Sequence, residues 1–438
     1  MLGRYRIDSN KTTQFTEAWV LLALIVTLGG LWARRPAVVL AAALLLTIVP
    51  IAWLWNRLAL SGVLYARTFS ERRAFVGETV TLRTLVTNRK LLPVGWLQIS
   101  DDLPVELTVL DADYMSEQKP GRLTLIATYS LRWYERVERV YRVVCSQRGY
   151  YTFGPASMKA GDIFGLFDNR RSVEARDTLI IYPRVLPLEA LGLPAKDPLG
   201  DRSIRRRVLE DPNRTIGVRD YQAGDELRRI HWKATARRQS LQSRIYEPTT
   251  AYNVIVFLNV ANFERFWHGY DPILLEKTVS AAASIASFAA ERRYAVGLVA
   301  NGCLPESDQP IKVLPGRSPG QLTRILEMLA AVTPVASAPI EDLLISESSS
   351  LPWGSTIVLV TGIVTADIAG SLQRLHAAGR HVVLISLAEP APPQLDGILV
   401  YHAPRLRDAD DDAAALSAGL SEALSEPPHA EEAVCSAG

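Results

Sequence analysis

The chain has 438 residues with 48% hydrophobic content, which is long enough for about three domains at roughly 150 residues each. Its formal net charge of +2 excludes a field that would draw the whole molecule to nucleic acid or anionic lipid, so any such attraction must be local. The cysteines, Cys145, Cys303 and Cys435, show neither C-x-x-C nor His-linked spacing, which argues against a disulfide framework or a cysteine zinc site and favours a reducing compartment.

Uncharged apolar runs lie near the N-terminus, at residues 18–32 and 37–55, with Arg34 and Arg35 between them. Because a membrane-crossing helix needs about 20 apolar residues, the runs predict a transmembrane helical hairpin within residues 1–60. A cleaved signal peptide is the alternative for the first run, but the second run follows at once and no small-x-small cleavage site is evident.

Basic residues are more frequent on the outer flanks of the predicted hairpin than in its loop. The outer residues are Arg4, Arg6 and Lys11 before it and Arg57, Arg67, Arg72 and Arg73 after it. Cytoplasmic flanks carry the excess of lysine and arginine in membrane proteins. We therefore predict a multi-pass protein of the cell membrane whose soluble domains are cytoplasmic.

Residues 61–190 show the period-two pattern of β-strands. Val80, Leu82 and Val86 alternate with threonine and arginine, and turn residues such as Gly77 separate the apolar runs. Long stretches of helical period are absent from this part of the sequence. The pattern predicts an all-β sandwich of immunoglobulin-like type.

Residues 251–405 alternate between short apolar strands and helices, which predicts a mainly parallel, Rossmann-like α/β sheet. The predicted strands are 254–258, 294–300, 356–360 and 381–387, and the predicted helices are 274–293, 319–331 and 367–378. Ligands of such sheets bind beyond the carboxyl ends of the strands, so we expect the crevice at residues 259–263 and 361–364. The acidic remainder, residues 406–438, is predicted to be a disordered tail.

Residues 191–250 form a basic linker between the two predicted domains, and residues 217–248 within it combine basic, aromatic and turn-forming side chains. Clusters of this kind are usually solvated linkers, but this one lies where two architectures meet. The candidate partner-docking residues are Arg219, Tyr221, Gly224, Asp225, Arg228, Trp232, Lys233 and Arg237.

The same stretch predicts a helix capped at its start by Asp225, with Leu227, Ile230 and His231 on one apolar stripe that packs on a core. Such a helix would either pin two domains together or present a docking surface to an acidic partner. Catalysis by His231 with Asp225 is a third interpretation. The helix phase disfavours it, because Asp225 lies six residues earlier and nearly opposite.

The signature R-x-Y-x-x-G-D-x-x-R-x-I-x-W-K-x-[ST]-A-R, which begins at Arg219, resembles that of the domain of unknown function 58 family. The upstream segments at residues 148–150, 154–155, 162–167 and 182–183 match that family too. The resemblance implies a membrane hairpin, a β domain and a domain like the von Willebrand factor type A fold. It also implies association with a MoxR-type AAA+ ATPase in assembly or activation of a larger complex.

Von Willebrand factor type A domains often hold a divalent metal through D-x-S-x-S after the first strand, because oxygen ligands suit hard cations. The matching positions are Asn259, Ala261 and Phe263, and Thr361 stands where many such domains place an aspartate. Alanine and phenylalanine donate no side-chain oxygen. We therefore predict a degenerate site without a metal, and we assign no other cofactor.

The leading hypothesis is a membrane-anchored, non-catalytic adaptor or scaffold with no catalytic residues, whose partners are the lipid bilayer and a protein such as the ATPase. A hydrolase using Asp225 and His231 is the alternative. Nucleic-acid binding through the arginine-rich island ranks third, because few aromatic residues besides Tyr221 and Trp232 interleave with the basic ones.

Overall fold

The computed structural model describes residues 25–29, 32, 36–112, 115–119, 121–162, 165, 167–194, 210–222, 225, 227–248, 253–264, 269–305, 307–352 and 354–404. This part of the chain divides into two compact units, one reaching to Arg184 and one beginning at Val185. The predicted first span at residues 18–32 lies mostly outside the described residues, although 25–29 and 32 are helical. The predicted tail at residues 406–438 lies outside them as well.

Helix α1, Pro36–Ala59, is the first long element, and it contains the whole of the second predicted span. Its 24 residues extend ~36 Å at 1.5 Å each, which exceeds the ~30 Å of a hydrocarbon core. The most apolar part has a mean hydropathy of 2.6 and is only 6% buried. Pro272–Glu291 is also long and apolar enough to cross a membrane, but it is 61% buried, as a core helix is. An exposed apolar helix such as α1 is typical of a membrane anchor.

The strands of the first unit follow α1 with short connections. They are β1 Val63–Phe69, β2 Arg73–Phe75, β3 Thr79–Asn88, β4 Val94–Pro104, β5 Thr108–Leu110, β6 Met115–Lys119, β7 Arg122–Leu131, β8 Arg136–Val144, β9 Gly149–Phe153, β10 Ala156–Gly161, β11 Asp168–Val173 and β12 Asp177–Tyr182. Most carry β-branched or aromatic residues at alternate positions, which suits a half-buried pleated surface.

These strands form a β-sandwich, as predicted. A sheet in the order β1-β3-β8-β5 and a sheet in the order β11-β10-β4-β7-β6 enclose the core, and β2-β12-β9 form a smaller third sheet. Val63 of β1, Leu97 of β4 and Met158 of β10 are fully buried together in one cluster. Leu82 of β3 and Phe153 of β9 lie in a second cluster. The inward face of β3 is the alternating set that the sequence indicated.

The guanidinium of Arg67, on β1, is buried inside this sandwich and all its N–H groups have acceptors. Nη1 donates to both carboxylate oxygens of Asp101 at 2.6 and 2.7 Å, and Nε donates to Asp177 at 3.1 Å. Nη2 donates to the backbone carbonyls of Phe153 and Ala175 at 2.9 and 3.0 Å. The exposed fraction of both charged side chains, Arg67 and Asp101, is at most 1%. One side chain therefore joins β1, β4, β9 and the entry to β12.

Two neighbours complete this ionic network. Tyr65, also on β1, donates its hydroxyl to Asp101 at 2.7 Å. Gly154, which follows β9, has a positive φ of 89°, and a Cβ there would collide with the carbonyl oxygen of Ala175. Glycine is therefore required where the backbone closes around the Arg67 guanidinium.

The second unit contains a β-hairpin and an α/β sheet. The hairpin is β13 Glu210–Asp220 with β14 Gln242–Pro248, and helix α2 Trp232–Arg238 lies between its strands. The sheet strands are β15 Asn253–Leu258, β16 Ala295–Cys303, β17 Pro310–Gly316, β18 Thr356–Thr361, β19 His381–Ser386 and β20 Leu399–His402. The helices are α3 Pro272–Glu291, α4 Gln321–Ala331, α5 Ile340–Ser348 and α6 Ala366–Ala377.

The sheet has the order β17-β16-β15-β18-β19-β20, and every pair is parallel except β16 with β17. The predicted α/β alternation is therefore confirmed. The sequence missed the antiparallel edge strand β17, the short strand β20 and helix α5. Ile255, Phe257, Ile357 and Leu384 are fully buried within the sheet, which explains the continuous apolar runs.

We expect Asp101→Asn to destabilise the first unit by about 3–5 kcal/mol, because the substitution removes the buried carboxylate that pairs with Arg67 and leaves only the partly exposed Asp177 to compensate its charge. Thermal unfolding of the full chain in detergent, with near-ultraviolet circular dichroism, would measure the loss.

The matched control for Asp101→Asn is Asp111→Asn, which breaks an exposed ion pair with Arg142 and should cost no more than about 1 kcal/mol. Equal unfolding temperatures for the two variants would show that the buried pair is not important for stability.

Candidate functional site

The signature segment is an excursion between the paired strands β13 and β14. After Asp220 the chain forms a 3-10 turn at Leu227–Arg229 and then the short helix α2. Ile230 bridges to Ser243 on β14 and is buried, which ties the middle of the excursion to the hairpin. The predicted single helix starting at Asp225 is therefore wrong, because two short elements occupy that length.

Asp225 closes the loop that precedes the 3-10 turn. Its Oδ1 accepts from Nη2 of Arg219 at 2.6 Å, and its Oδ2 accepts from the backbone N–H of Gln222 at 3.1 Å. The hydroxyl of Tyr221 donates to the carbonyl of Asp225 at 3.3 Å. The Gln222 N–H, assisted by Arg219, lowers the pKa of the Asp225 carboxyl below its usual value. Asp225 is thus a loop clamp, and the prediction that it caps a helix is wrong.

His231 is the residue that caps α2. Its ring Nδ1 accepts the backbone N–H of Ala234 at 3.1 Å, and the backbone N–H of His231 donates to the carbonyl of Gln242 at 2.8 Å. A ring nitrogen that accepts in a neutral imidazole leaves the other nitrogen as the donor. The predicted apolar stripe is also wrong for Leu227, which is 73% exposed.

A buried polar residue, Gln242, connects the excursion to the strands of the hairpin. The side chain of Gln242 is fully buried, and its Nε2 donates to Asp220 and to Ser240. The Gln242 N–H donates to the hydroxyl of Thr235 at 3.0 Å. Thr235 belongs to the signature, but Gln242 was not a candidate. Its buried structural role becomes clear only from its position as the first residue of β14.

The exposed face of the excursion combines one large aromatic residue with cations. Trp232 is 68% exposed at the start of α2, and Lys233 and Arg237 are exposed on the same helix. Gly224 lies outside the described residues, and so does the side chain of Arg228. The helix ends at Gln239 in a left-handed conformation, with Arg237 in its last turn, where the helix dipole favours a cation.

The carboxyl ends of β15, β16 and β18 carry an amide and hydroxyl network at the position of the predicted degenerate metal site. Asn259 donates to Thr361 at 3.0 Å and accepts from Asn301 at 2.8 Å and from the N–H of Ala261 at 3.1 Å. Asn259, Asn301 and Thr361 are all buried. The hydroxyl of Thr361 in turn donates to the carbonyl of Ile363 at 2.6 Å. The oxygen atoms at these positions are therefore engaged with one another.

Beside this network a cleft of about 750 Å³ opens at the ends of β15, β18 and β19. Its walls include Asn262, Asp271 and Gly362. Asp271 caps α3 by accepting from two backbone N–H groups, and Asn262 donates to the Asp271 carbonyl at 2.7 Å. Phe263, the last of the degenerate metal positions, is 41% exposed. The described residues hold no cluster of three or more histidine, cysteine, aspartate or glutamate side chains that could bind a metal. The absence of a metal stays a prediction.

The family described as "Protein of unknown function DUF58" has a model that matches residues 217–412. The match begins at the first residue of the signature stretch and includes the whole α/β sheet. The uncharacterized protein YeaD of Bacillus subtilis is 26% identical over 231 residues. This chain spans about half, 52%, of the length of that relative. The resemblance inferred from the signature is therefore confirmed.

Solved structures that resemble the chain cover about a quarter of it. A cohesin module from a Clostridium perfringens glycoside hydrolase is 15% identical and covers 27% of this chain and 97% of that module, with a TM-score of 0.19. The CARDB domain of a Pyrococcus furiosus protein is 12% identical and covers 27% and 91%, with a TM-score of 0.18. Scores at this level support no argument, so the fold assignment depends on the strand pairings described above.

We expect Asp225→Asn to accelerate amide hydrogen exchange in residues 217–231 by about 2- to 10-fold, because a neutral amide cannot hold Arg219 and the Gln222 N–H as the carboxylate does. Mass spectrometry of the full chain in detergent would measure it. Asp308→Asn, at an exposed aspartate of the same unit outside the signature, should leave these peptides unchanged. Unaltered exchange in Asp225→Asn would contradict the clamp.

The clamp should also be insensitive to pH near neutrality. Because the pKa of Asp225 is lowered on folding, its contribution is present above the unfolded value of about 3.9 and is lost as the pH falls through the folded value. After correction for intrinsic exchange, protection of residues 217–231 should be constant from about pH 5 to 8. A step within that range would contradict the assignment of the clamp to the Asp225 carboxylate.

Proposed function

Because the chain belongs to the family of unknown function DUF58 through residues 217–412, we propose that it is a membrane-anchored, non-catalytic adaptor that binds a protein partner. The proposed partner is a MoxR-type AAA+ ATPase, and the proposed role is the assembly or activation of a larger complex. Helix α1 supplies the anchor, and the soluble units lie in the cytoplasm. The α/β sheet is proposed to be a von Willebrand factor type A-like domain. In chain order its strands lie 3-2-1-4-5-6, which is also the order of Rossmann-like sheets.

One observation carries the proposal: Asp225 and His231, the signature groups that the hydrolase alternative requires, are engaged within the excursion, whereas Trp232, Lys233 and Arg237 are exposed. Asp225 binds Arg219 and a backbone N–H, and His231 binds the backbone of α2. Trp232 and Arg237 lie on the exposed face. Tryptophan and arginine are the residue types most enriched among those that dominate protein–protein affinity.

The hydrolase alternative requires His231 to accept a proton in the reaction. Its Nδ1 already accepts the Ala234 N–H, and its Nε2 then carries the ring proton. If His231 acted as a base through Nδ1, it would lose the hydrogen bond that caps α2. The geometry therefore favours a structural role for His231, and this supports the binding proposal.

A partner that suits the exposed face is a protein with an apolar pocket bordered by acidic residues. The exposed Trp232 offers apolar area, and Lys233 and Arg237 offer positive charge on the same helix. Apolar side chains at the centre of an interface provide affinity, and complementary charges around them increase the association rate.

We expect Trp232→Ala and Arg237→Glu each to weaken binding of the purified MoxR-type ATPase from the same genome by about 10-fold or more, since residues of these types in an interface centre contribute at least about 1.4 kcal/mol. Biolayer interferometry with the full chain immobilised in detergent, with and without ATP, would measure the dissociation constants.

Arg317→Glu is the matched control, because Arg317 is also an exposed arginine of the second unit but lies outside the signature. It should bind the ATPase as the parent chain does. No binding by the parent chain at about 100 µM ATPase, which corresponds to about 5.5 kcal/mol, would contradict the proposed partner. Equal weakening by Arg317→Glu would contradict the proposed surface.

A further inference from the structure

Two turns at one end of the β-sandwich carry large apolar side chains that are exposed to solvent. Leu91, in the β3–β4 turn, is 74% exposed. Trp133 and Tyr134, in the β7–β8 turn, are 64% and 65% exposed. Single exposed apolar residues are common on soluble proteins, but a group of three in adjoining turns calls for an explanation.

The two turns are joined by backbone hydrogen bonds. The N–H of Tyr134 donates to the carbonyl of Lys90 at 3.3 Å, and the N–H of Asn88 donates to the carbonyl of Glu135 at 2.8 Å. The side-chain amide of Asn88 donates to the carbonyls of Leu92 and Arg132 at 3.0 and 2.8 Å. Leu91, Trp133 and Tyr134 therefore lie on one fixed edge, which we call the apolar edge.

The apolar edge is attached to the C-terminal end of α1. The ammonium of Lys90 donates to the carbonyls of Leu58 and Ser61 at 2.6 and 2.8 Å, and also to that of Ala59. Leu58 and Ala59 are the last two residues of the helix, where carbonyls have no partner within it, and Ser61 lies just beyond its end. One lysine thus joins the turn that carries Leu91 to the last turn of the apolar helix.

The length of α1 defines the depth of this junction in a bilayer. At 1.5 Å per residue its 24 residues extend ~36 Å, and the hydrocarbon core is ~30 Å thick. The surplus of ~6 Å places the final turn of a spanning helix in the headgroup layer. The amphipathic rings of tryptophan and tyrosine favour that layer.

Positive charge surrounds the same junction. Arg57, Arg89, Arg132 and Arg136 are exposed there, and Glu135 is the only acidic residue of the two turns. The Glu135 carboxylate accepts the backbone N–H of Arg132 at 2.5 Å. Exposed cations at the membrane surface attract anionic headgroups by about 1 kcal/mol each.

We propose that Leu91, Trp133 and Tyr134 insert into the headgroup layer of an anionic bilayer and hold the β-sandwich against the membrane at the end of α1. This inference rests on the proposed anchoring by α1. With the edge inserted, the β-sandwich would lie on the membrane surface in one fixed orientation. The continuity of the edge with α1 and the positive charge around it favour lipid as the occupant over a second protein.

The test is site-directed spin labelling of the full chain in vesicles of phosphatidylcholine with 30% phosphatidylglycerol. Labels are placed by Leu91→Cys, Trp133→Cys and, as the control, Val105→Cys in a Cys435→Ser background, in which Cys145 and Cys303 are buried. Val105 is exposed in the turn after β4, ~33 Å along that strand from the edge that carries Leu91.

The labels at positions 91 and 133 should be several-fold more accessible to oxygen than to a water-soluble nickel complex, and the label at position 105 should show the reverse. Trp133→Asp together with Tyr134→Asp should return the label at position 91 to the aqueous pattern. The oxygen preference should also decrease in vesicles of phosphatidylcholine alone.

Other outcomes overturn the inference. If the labels at positions 91 and 133 show the same oxygen preference in both lipid compositions, the edge does not prefer anionic lipid. If both labels are poorly accessible to oxygen and to the nickel complex, a protein covers the edge. If the chain floats with the vesicles after carbonate extraction but the edge labels are aqueous, the anchor stands and the interfacial edge is wrong. If the chain does not float, both proposals fail.

Discussion

The first unit depends on compensation of the buried Arg67 charge. A guanidinium with no exposed surface is tolerated only when its N–H groups are all matched, and this requirement brings Asp101 and two backbone carbonyls to one point between the sheets. The backbone can close around it because Gly154 carries no Cβ. Strands that are distant in sequence are thereby held in one arrangement, and that arrangement also fixes the turns that meet α1.

Buried polar groups need hydrogen-bond partners in the second unit as well. Residues there that have such partners inside the protein can be assigned structural roles, which distinguishes them from the exposed residues. Asn259, Asn301 and Thr361 satisfy one another at the carboxyl ends of the strands. Asp225 and His231 are engaged inside the signature excursion. Trp232 and the cations of α2 are exposed instead, and we propose that they contact another molecule. This division is the reason that we propose binding rather than catalysis for the signature segment.

The hydrophobic periodicity of the sequence and the lengths of its apolar segments predicted most of the fold. The alternation in β3, the exposed helix α1 and the α/β order after residue 251 all follow from patterns that extend over many residues. The signature was harder, because its structure depends on contacts with β14. A short helix capped by His231 and a loop closed by Arg219 have no periodicity, and the burial of Gln242 depends on strand pairing across the hairpin. Likewise, the sequence places Arg67 among the basic residues that flank the hairpin, and nothing local marks it as buried.

The central claim is that the exposed face of the signature contacts a AAA+ ATPase. The most direct measurement is photo-crosslinking in intact membranes, with p-benzoylphenylalanine replacing Trp232. Leu314, which is similarly exposed at 65% on β17, provides the control position. We predict an adduct between this chain and the ATPase from position 232 and none from position 314. Absence of the adduct at position 232, or equal adducts from both positions, would contradict it.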